Sequence, residues 1–324
     1  MNPSHENPAL HDLQLTYTSR MQTPPNQSSK PSPFLLYLIL ILPPLFWAGN
    51  FVVGRAIHSE IPPFTLSFGR WVIALLCILP FAYPAMRRDC LLYWQYRWRL
   101  LAVSLIGVAA FNTLVYSGLH FTTATNGTLL NSCIPILILL FGSLFYRLRL
   151  QLWQVIGLAL SLCGVLTIIL HGEWARLLRL EFSIGDLIIF LAMVCWAFYT
   201  LWLRDIPASI NRLGLMGLQI IIALVLLFPL YLWEAMHGLT PQWNRDVWLA
   251  LAYVGIFPSV IAYTLYTLGV AYAGAARAGL FIHLMPVFGS LLSVMLLGES
   301  LHLFHAVGIA AILGGLFLSN HPAR

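Results

Sequence analysis

Long apolar runs, separated by short polar joints, occupy almost the whole chain from residue 34 onward. There are ten such runs, and a transmembrane helix needs about 20 mostly apolar residues. The runs cover residues 35–57, 63–83, 98–118, 123–146, 152–171, 184–203, 213–236, 246–270, 276–297 and 303–319. The strands of an outer-membrane barrel would instead show short segments of alternating polarity. The pattern therefore predicts an all-α integral membrane protein with ten transmembrane helices.

The composition excludes most other classes of protein. Of the 324 residues, 60% are hydrophobic and only 9% are charged, whereas a typical soluble domain has about 25% charged residues. This excludes a soluble globular protein, a disordered chain and a nucleic-acid reader, so we expect no nucleic-acid partner. The five cysteines form no CxxC pair, and their spacing fits neither a disulfide framework nor a zinc site. We predict no metal and no cofactor, and we make no prediction of the oligomeric state.

The first 33 residues differ from the rest of the chain. They are rich in Pro, Ser, Asn, Gln and His, and such a segment cannot bury enough apolar surface to fold. We predict that residues 1–33 form a disordered cytoplasmic tail. With this tail inside, the inner joints hold twelve Lys and Arg residues and the outer joints four. The positive-inside rule then places both termini in the cytoplasm, and we expect a bacterial inner (plasma) membrane.

The second half of the chain repeats the first. At an offset of 151 residues Pro135 aligns with Pro286, and Gly164 aligns with Gly315. At an offset of 149, Trp47 aligns with Trp196. Because each half holds five spans, the second half must enter the membrane from the opposite side. We predict two inverted five-helix repeats, residues 34–171 and 172–324, which is a common plan of secondary transporters.

Several short motifs mark the two halves. They are Trp47-Ala48-Gly49-Asn50 and Ser67-Phe68-Gly69-Arg70 in the first half, and Trp196-Ala197, Gly274-Ala275-Ala276, Pro286 and Leu297-Gly298-Glu299 in the second. On these motifs the chain resembles the drug/metabolite transporter superfamily, in its ten-helix EamA-type branch, over about residues 34–320. Arg147-Leu148 replaces the Gly-Glu pair in the first half, and Gln219 stands at the position matching Arg70. The resemblance implies transport of a small metabolite, with export slightly preferred.

Two basic residues lie well inside predicted spans, where a charge is costly and is a functional candidate by default. Arg70 falls near mid-depth of the second span. It could bind a carboxylate or phosphate, or it could hold neighbouring helices together. His283 lies three residues before Pro286. It could carry protons, or it could be a neutral histidine bonded across helices. No Asp or Glu lies deep in a span, which weakens carboxylate-based proton coupling.

A set of polar and aromatic residues falls where the resemblance implies a central cavity. The set consists of Trp47, Asn50, Asn112, Tyr116, Tyr199, Tyr263 and Tyr266. We predict that these residues, with Arg70 and His283, bind the substrate. An aromatic lining with a few amides suits a small amphipathic solute. The alternative is that these side chains only bond between helices.

Two matched prolines are predicted hinges. Pro135 and Pro286 each lie about ten residues into a span, and a proline there removes a backbone donor and kinks the helix. Matched kinks could let each half rock around a central site. The alternative is an inert kink that neighbouring helices repack around.

The leading functional hypothesis is a secondary transporter that moves a small neutral or zwitterionic metabolite, such as an amino acid, by alternating access. No nucleotide-binding motif is present, so ATP does not drive it directly. A passive facilitator, or a nucleotide-sugar or phosphorylated-metabolite carrier of the same fold, is the first alternative. A phosphate substrate would call for several deep basic residues. An intramembrane enzyme is a distant alternative, because the chain lacks paired deep carboxylates and a metal motif.

Overall fold

The computed structural model describes residues 31–122, 124–147, 151–175, 183–297, 300 and 302–319. Within these residues the chain forms helices and no β-strand. Each predicted apolar run corresponds to one helical span. The spans are α1 (Pro33–Ala56), α2 (Pro63–Arg88), α3 (Arg97–Leu119), α4 (Ala124–Asn131 and Ile134–Tyr146), α5 (Leu152–Ile169), α6 (Ile184–Leu203), α7 (Arg212–Met236), α8 (Arg245–Ala273), α9 (Ala275–Leu280 through Met285–Leu297) and α10 (Leu303–Ser319).

Nine of these spans are long and apolar enough to cross a membrane, and α10 is a shorter apolar helix of 17 residues. The prediction of an all-helical membrane protein built from two inverted repeats is confirmed. A short helix, Cys90–Gln95, lies between α2 and α3 and was not predicted. The predicted tail, up to residue 30, and the Gly298-Glu299 motif lie outside the described residues.

The two halves interlock rather than stand side by side. α1 of the first half packs against α8 and α9 of the second, and α6 of the second half packs against α3 and α4 of the first. α2 runs along α7, and α5 runs along α10. Each half therefore places its first helix among the third and fourth helices of the other. This arrangement brings residues that are about 150 positions apart to one central interface.

The third helix of each half contains a π-helical segment at the matching position. The segments are Leu105–Ala110 in α3 and Gly255–Ile261 in α8. π-helical turns inside α-helices are rare and occur frequently at functional sites. Their recurrence at the same point of both repeats marks the part of the fold where the candidate site is found.

The fourth helix of each half is interrupted near its middle. In α4 the helix breaks after Asn131, and in α9 it passes through a 3₁₀ turn, Phe281–Leu284. Pro135 and Pro286 lie in the first turn of the segment that follows each break. Proline is accepted there because the first turn of a helix does not use its backbone N–H groups. The prolines thus restart the helices rather than kink continuous ones, and their role as hinges stays a prediction.

A buried carboxylate joins α7 to α2. Glu234, which is 1% exposed near the end of α7, accepts hydrogen bonds from Phe64 N (2.9 Å), Thr65 N (2.6 Å) and Thr65 Oγ1 (2.7 Å). The first N–H groups of a helix lack intrahelical partners and carry partial positive charge. At the opposite end of the pair, Asp89 accepts a bond from Asn211 N at 2.8 Å. Each of the two helices therefore ends near an acidic side chain that accepts hydrogen bonds from the start of the other helix.

We expect Glu234→Ala to lower the free energy of unfolding by about 2 kcal/mol, because it removes a charged cap and leaves buried donors unpaired. The thermal midpoint of the detergent-purified protein measures this loss. Glu234→Gln keeps one acceptor oxygen and serves as the control, with a smaller loss. An alanine variant that melts together with the wild type would contradict the assignment of Glu234 as the clamp between α2 and α7.

Candidate functional site

Five aromatic rings meet where the two halves cross. Trp47 of α1 packs edge-on against Trp196 of α6 at 4.9 Å between ring centroids, and Tyr263 and Tyr266 of α8 lie within 6.0 Å of Trp47. Tyr199 joins the cluster 5.2 Å from Trp196. All five are buried. The cluster brings together four predicted binding residues and adds Trp196, which the repeat offset from Trp47 could have identified.

Arg70 lies next to this cluster and is completely buried. Its Nε donates to Ser259 Oγ at 2.8 Å, and its Nη1 donates to Asn112 Oδ1 at 2.7 Å and to the hydroxyl of Tyr116. The guanidinium also lies 5.0 Å from the ring centroid of the adjacent Trp71. The residues that hold Arg70 come from α3 and the π-helical segment of α8, so the charge connects both halves.

Each partner of Arg70 passes its own hydrogen bond onward. Tyr116 donates to Asn50 Oδ1 at 2.8 Å, and Asn112 Nδ2 donates to the hydroxyl of Tyr263 at 2.7 Å. Ser259 donates to a backbone carbonyl of α8 at 2.6 Å. Three chains of hydrogen bonds thus run outward from the guanidinium. In each chain, the atom that contacts Arg70 is an acceptor. Ser259 was not predicted as a site residue, because no feature of the neighbouring sequence distinguishes it.

Arg70 has no anionic partner among the described residues; the ion pairs Arg88–Asp89 and Arg204–Asp205 do not involve it. Its Nη2 group is buried and makes no hydrogen bond. A buried charge is normally paired, because removing an ion from water costs several kcal/mol. Hydrogen bonds to neutral groups and contacts with ring faces solvate Arg70 but leave its charge uncompensated.

The π-helical segments accept side-chain donors from the other half. Trp47 Nε1 donates to Pro258 O at 3.1 Å, and the hydroxyl of Tyr263 donates to Gly107 O at 2.8 Å. Gly107 and Pro258 occupy matching positions of the two repeats, 151 residues apart. Asn112 and Tyr263, which bond directly, are related by the same offset. The pseudo-symmetry axis therefore passes through the hydrogen-bonded centre of the site.

A small cavity of about 20 Å³ lies beside this network. Its walls are the side chains of Trp47, Asn50, Phe51, Phe111, Asn112, Asn131, Ile134, Trp196, Ile282 and Met285. Asn50 and Asn112 line the cavity and also contact Arg70 Nη1. The described hydrogen bonds of Asn50 use only its Oδ1, and those of Asn131 use only its Nδ2. One amide donor and one amide acceptor are thus free at the cavity, whose volume in this conformation has room for about one water molecule.

The remaining predicted residues lie around this centre. The hydroxyls of Tyr266 and Thr200 bond at 2.8 Å. His283 lies outside the cavity wall, where its Nε2 contacts Ser132 O at 3.0 Å and its Nδ1 contacts Ser161 Oγ at 2.7 Å. Because a carbonyl only accepts, Nε2 carries the hydrogen and Nδ1 accepts from the serine hydroxyl. This bonding matches the second predicted role of His283, a neutral ring that ties the break in α4 to α5 and α9.

Comparison with known proteins identifies the family. The model of the EamA-like transporter family matches residues 34–170 and again residues 183–321. The uncharacterized transporter YetK of Bacillus subtilis (strain 168) is 27% identical over 274 residues, which make up 83% of this chain and 81% of YetK. The uncharacterized transporter YyaM of the same organism is 25% identical over 296 residues, or 89% of this chain and 94% of YyaM.

A solved crystal structure shares the fold, with a TM-score of 0.70 over 89% of this chain and 97% of the other, at 21% sequence identity. The match of the family model confirms the resemblance inferred from the sequence motifs. Since the family model matches both halves of the chain, this integral membrane protein belongs to the EamA-like transporter family.

Proposed function

We propose that this protein is a secondary transporter of small carboxylate-bearing metabolites, with zwitterionic amino acids as the substrate class. It works by alternating access in a bacterial inner membrane, with both termini in the cytoplasm, and it favours export. The observation that carries this proposal is Arg70, a fully buried guanidinium with a free Nη2 group and no carboxylate partner among the described residues.

A substrate carboxylate is the natural counterion for this charge. Charge-assisted bonds between guanidinium and carboxylate groups are about twice as strong as neutral hydrogen bonds, and they form in a planar fork. The path to Arg70 leads past Asn50, whose Nδ2 is free to donate to the same carboxylate. A phosphorylated solute fits less well, because Arg70 is the one charged side chain that the described residues place in this network.

The other walls of the cavity suit an ammonium group and an apolar side chain. Asn131 Oδ1 is free to accept a hydrogen bond, and Trp47 and Trp196 line the same cavity. Aromatic faces attract cations by about 0.5–2 kcal/mol, most strongly when water is excluded. Acceptor, donor and aromatic walls together match a zwitterion rather than a purely anionic solute.

Transport requires the cavity to enlarge, since about 20 Å³ is too small for an amino acid. We place the moving parts at the breaks of α4 and α9, where Pro135 and Pro286 restart the helices. The α2–α7 and α5–α10 pairs are better suited to a fixed frame. Carboxylates bond α2 to α7 at both ends of that pair, and α5 and α10 are in close backbone contact.

Facilitated diffusion or exchange is the favoured energetic mode. Both ring nitrogens of His283 are engaged in bonds to Ser132 and Ser161, so protonation of Nδ1 would require the Ser161 hydroxyl to turn from donor to acceptor. No carboxylate belongs to the Arg70 network within the described part of the chain. An imposed pH gradient should therefore leave the transport rate unchanged.

The test is uptake of a ¹⁴C-labelled mixture of the standard amino acids into proteoliposomes that contain the purified protein. We expect saturable uptake that Trp47→Ala reduces at least about tenfold, because one hydrogen bond and several ring contacts are lost. Trp243→Ala is the matched control, since Trp243 is 54% exposed and outside the site; it should transport like the wild type. Folded protein that moves no amino acid would refute the proposed substrate class.

A further inference from the structure

A second, larger cavity opens at the membrane face where α4 ends and α9 begins. Its volume is about 330 Å³, which lies within the range typical of small-molecule sites. We refer to it as the vestibule. Pro135 and Leu280 line its inner end, and Arg204, Arg277, Gln151 and Gln154 contribute polar groups nearer its mouth.

The vestibule is positively charged. Two guanidinium groups and no carboxylate belong to its described lining. Arg277 forms none of the described ion pairs; its Nη2 makes a long 3.4 Å contact with the hydroxyl of Tyr37, and its Nε is buried without a hydrogen-bond partner. Arg204 shares its charge with Asp205 at 3.6 Å. Arg277 therefore carries the less compensated charge and keeps an unused donor.

The vestibule leads toward the central cavity. Pro135 lines the vestibule, while its neighbour Ile134 lines the central cavity. On α9, Leu280 lines the vestibule and Ile282 the central cavity. At this point α4 packs tightly against α9. A β-carbon added at Gly279 would lie less than 3.0 Å from Cδ1 of Ile138. This tight contact, near the breaks of α4 and α9, lies among the residues that line the two spaces.

We propose that the vestibule is a loading site for the carboxylate group of the transported solute, and that Arg277 binds this group before it reaches Arg70. The inference rests on the proposed function and adds a second, sided site to it. The vestibule opens at the membrane face that bears Arg277, so the proposed site acts on solute arriving from that face. Arg277 thus affects capture from one side of the membrane, whereas Arg70 affects transport in both directions.

The experiment compares uptake of the same ¹⁴C-labelled amino-acid mixture by inside-out and right-side-out membrane vesicles, with vector-only vesicles subtracted. We expect Arg277→Gln to raise the half-saturation concentration about fivefold when solute is presented on the Arg277 face, as for loss of a partly exposed ion pair. From the opposite face the change should be less than about twofold. Protease access to an N-terminal tag identifies the face, since Arg277 contacts Tyr37 near the start of α1.

Two further variants separate the site from a general charge effect. Arg277→Lys keeps the charge and should restore most of the affinity. Arg99→Gln removes an exposed arginine at the same face, outside the vestibule, and should leave both half-saturation values unchanged. An equal rise from both faces, or no rise from either while the wild type transports, would overturn the loading site and leave the proposed function standing. A wild type that moves no amino acid overturns both proposals.

Discussion

Arg70→Gln is expected to reduce amino-acid uptake at least about 100-fold. The substitution removes the charge-assisted bond that the free Nη2 of Arg70 offers to the carboxylate, and such a bond contributes about 1.5–3 kcal/mol net. It also removes the positive charge that attracts the carboxylate into the site. Arg70→Lys should recover little of this loss. A lysine ammonium cannot reach Ser259 and Asn112 together with a substrate oxygen, because it lacks the planar fork of donors. The half-saturation concentration and maximal rate of proteoliposome uptake measure both effects.

Arg70 also connects α2 to α3 and α8, so its replacement could weaken the fold as well as the site. Amino-acid amides, in which a carboxamide replaces the carboxylate, separate the two roles. If Arg70 binds the carboxylate, the wild type prefers acids over amides and Arg70→Gln abolishes that preference. A purely structural arginine would lower the uptake of acids and amides equally. That equal loss, in folded protein, is the outcome that contradicts the assignment.

Tyr116→Phe supplies an intermediate test of the same network. It removes one acceptor from Arg70 and one donor to Asn50 while the charge remains. The preference for acids over amides should persist, with a modest rise in half-saturation concentration. If Tyr116→Phe keeps the preference for acids over amides and Arg70→Gln loses it, the guanidinium itself recognises the carboxylate.

The spans of this fold are predictable from sequence because they follow from one local property. Any segment of about 20 apolar residues must be helical in a bilayer, where backbone groups cannot bond to water. The repeat was equally visible, since small residues and prolines recur at a fixed offset. The prolines Pro135 and Pro286 indicated distortions near the breaks of α4 and α9, but the π-helical segments were not predicted. Leu105–Ala110 is apolar like its surroundings, and Pro258 in Gly255–Ile261 indicates a distortion without specifying a π-helical turn.

Residues of the candidate site were predictable from sequence where burying the side chain is costly in itself. They were not predictable where their role depends on a hydrogen-bond partner that is distant in sequence. Arg70 stands out because a charge inside a span needs a reason to be there. Its partner Ser259 is 189 residues away, and Glu234 caps a helix that begins about 170 residues earlier. Such pairings depend on how the halves interlock. Only the repeat offset carries information over that range, and it would have indicated Trp196.

Two neighbouring glycines of α10 are expected to respond very differently to the same substitution. Gly315 faces α5, where an added β-carbon would lie 2.7 Å from Ser161 N and 2.8 Å from Ser161 Cβ. Gly164 and Gly308 meet in the same way, with backbone oxygens 2.6 and 2.7 Å from the β-carbon positions. Gly314 is one residue along, and its nearest neighbour would be Leu160 Cδ2 at an ordinary 3.6 Å. The contact between α5 and α10 thus depends on one face of α10.

Gly315→Ala should destabilise the protein by about 2 kcal/mol, because helices that pack backbone to backbone cannot accept a side chain without separating. Gly314→Ala should leave stability unchanged or raise it slightly, since alanine favours helix over glycine. Thermal midpoints of the two detergent-purified variants provide the comparison. Equal midpoints would contradict the close packing of α5 on α10.

The same pair of variants tests whether α5 and α10 belong to the fixed frame. If they do not move during transport, the Gly315→Ala protein that remains folded has a wild-type half-saturation concentration, and only the amount of folded protein falls. If α5 must slide on α10, the added methyl group changes the maximal rate per folded molecule as well. Uptake normalised to folded protein distinguishes these outcomes, with Gly314→Ala as the reference for both.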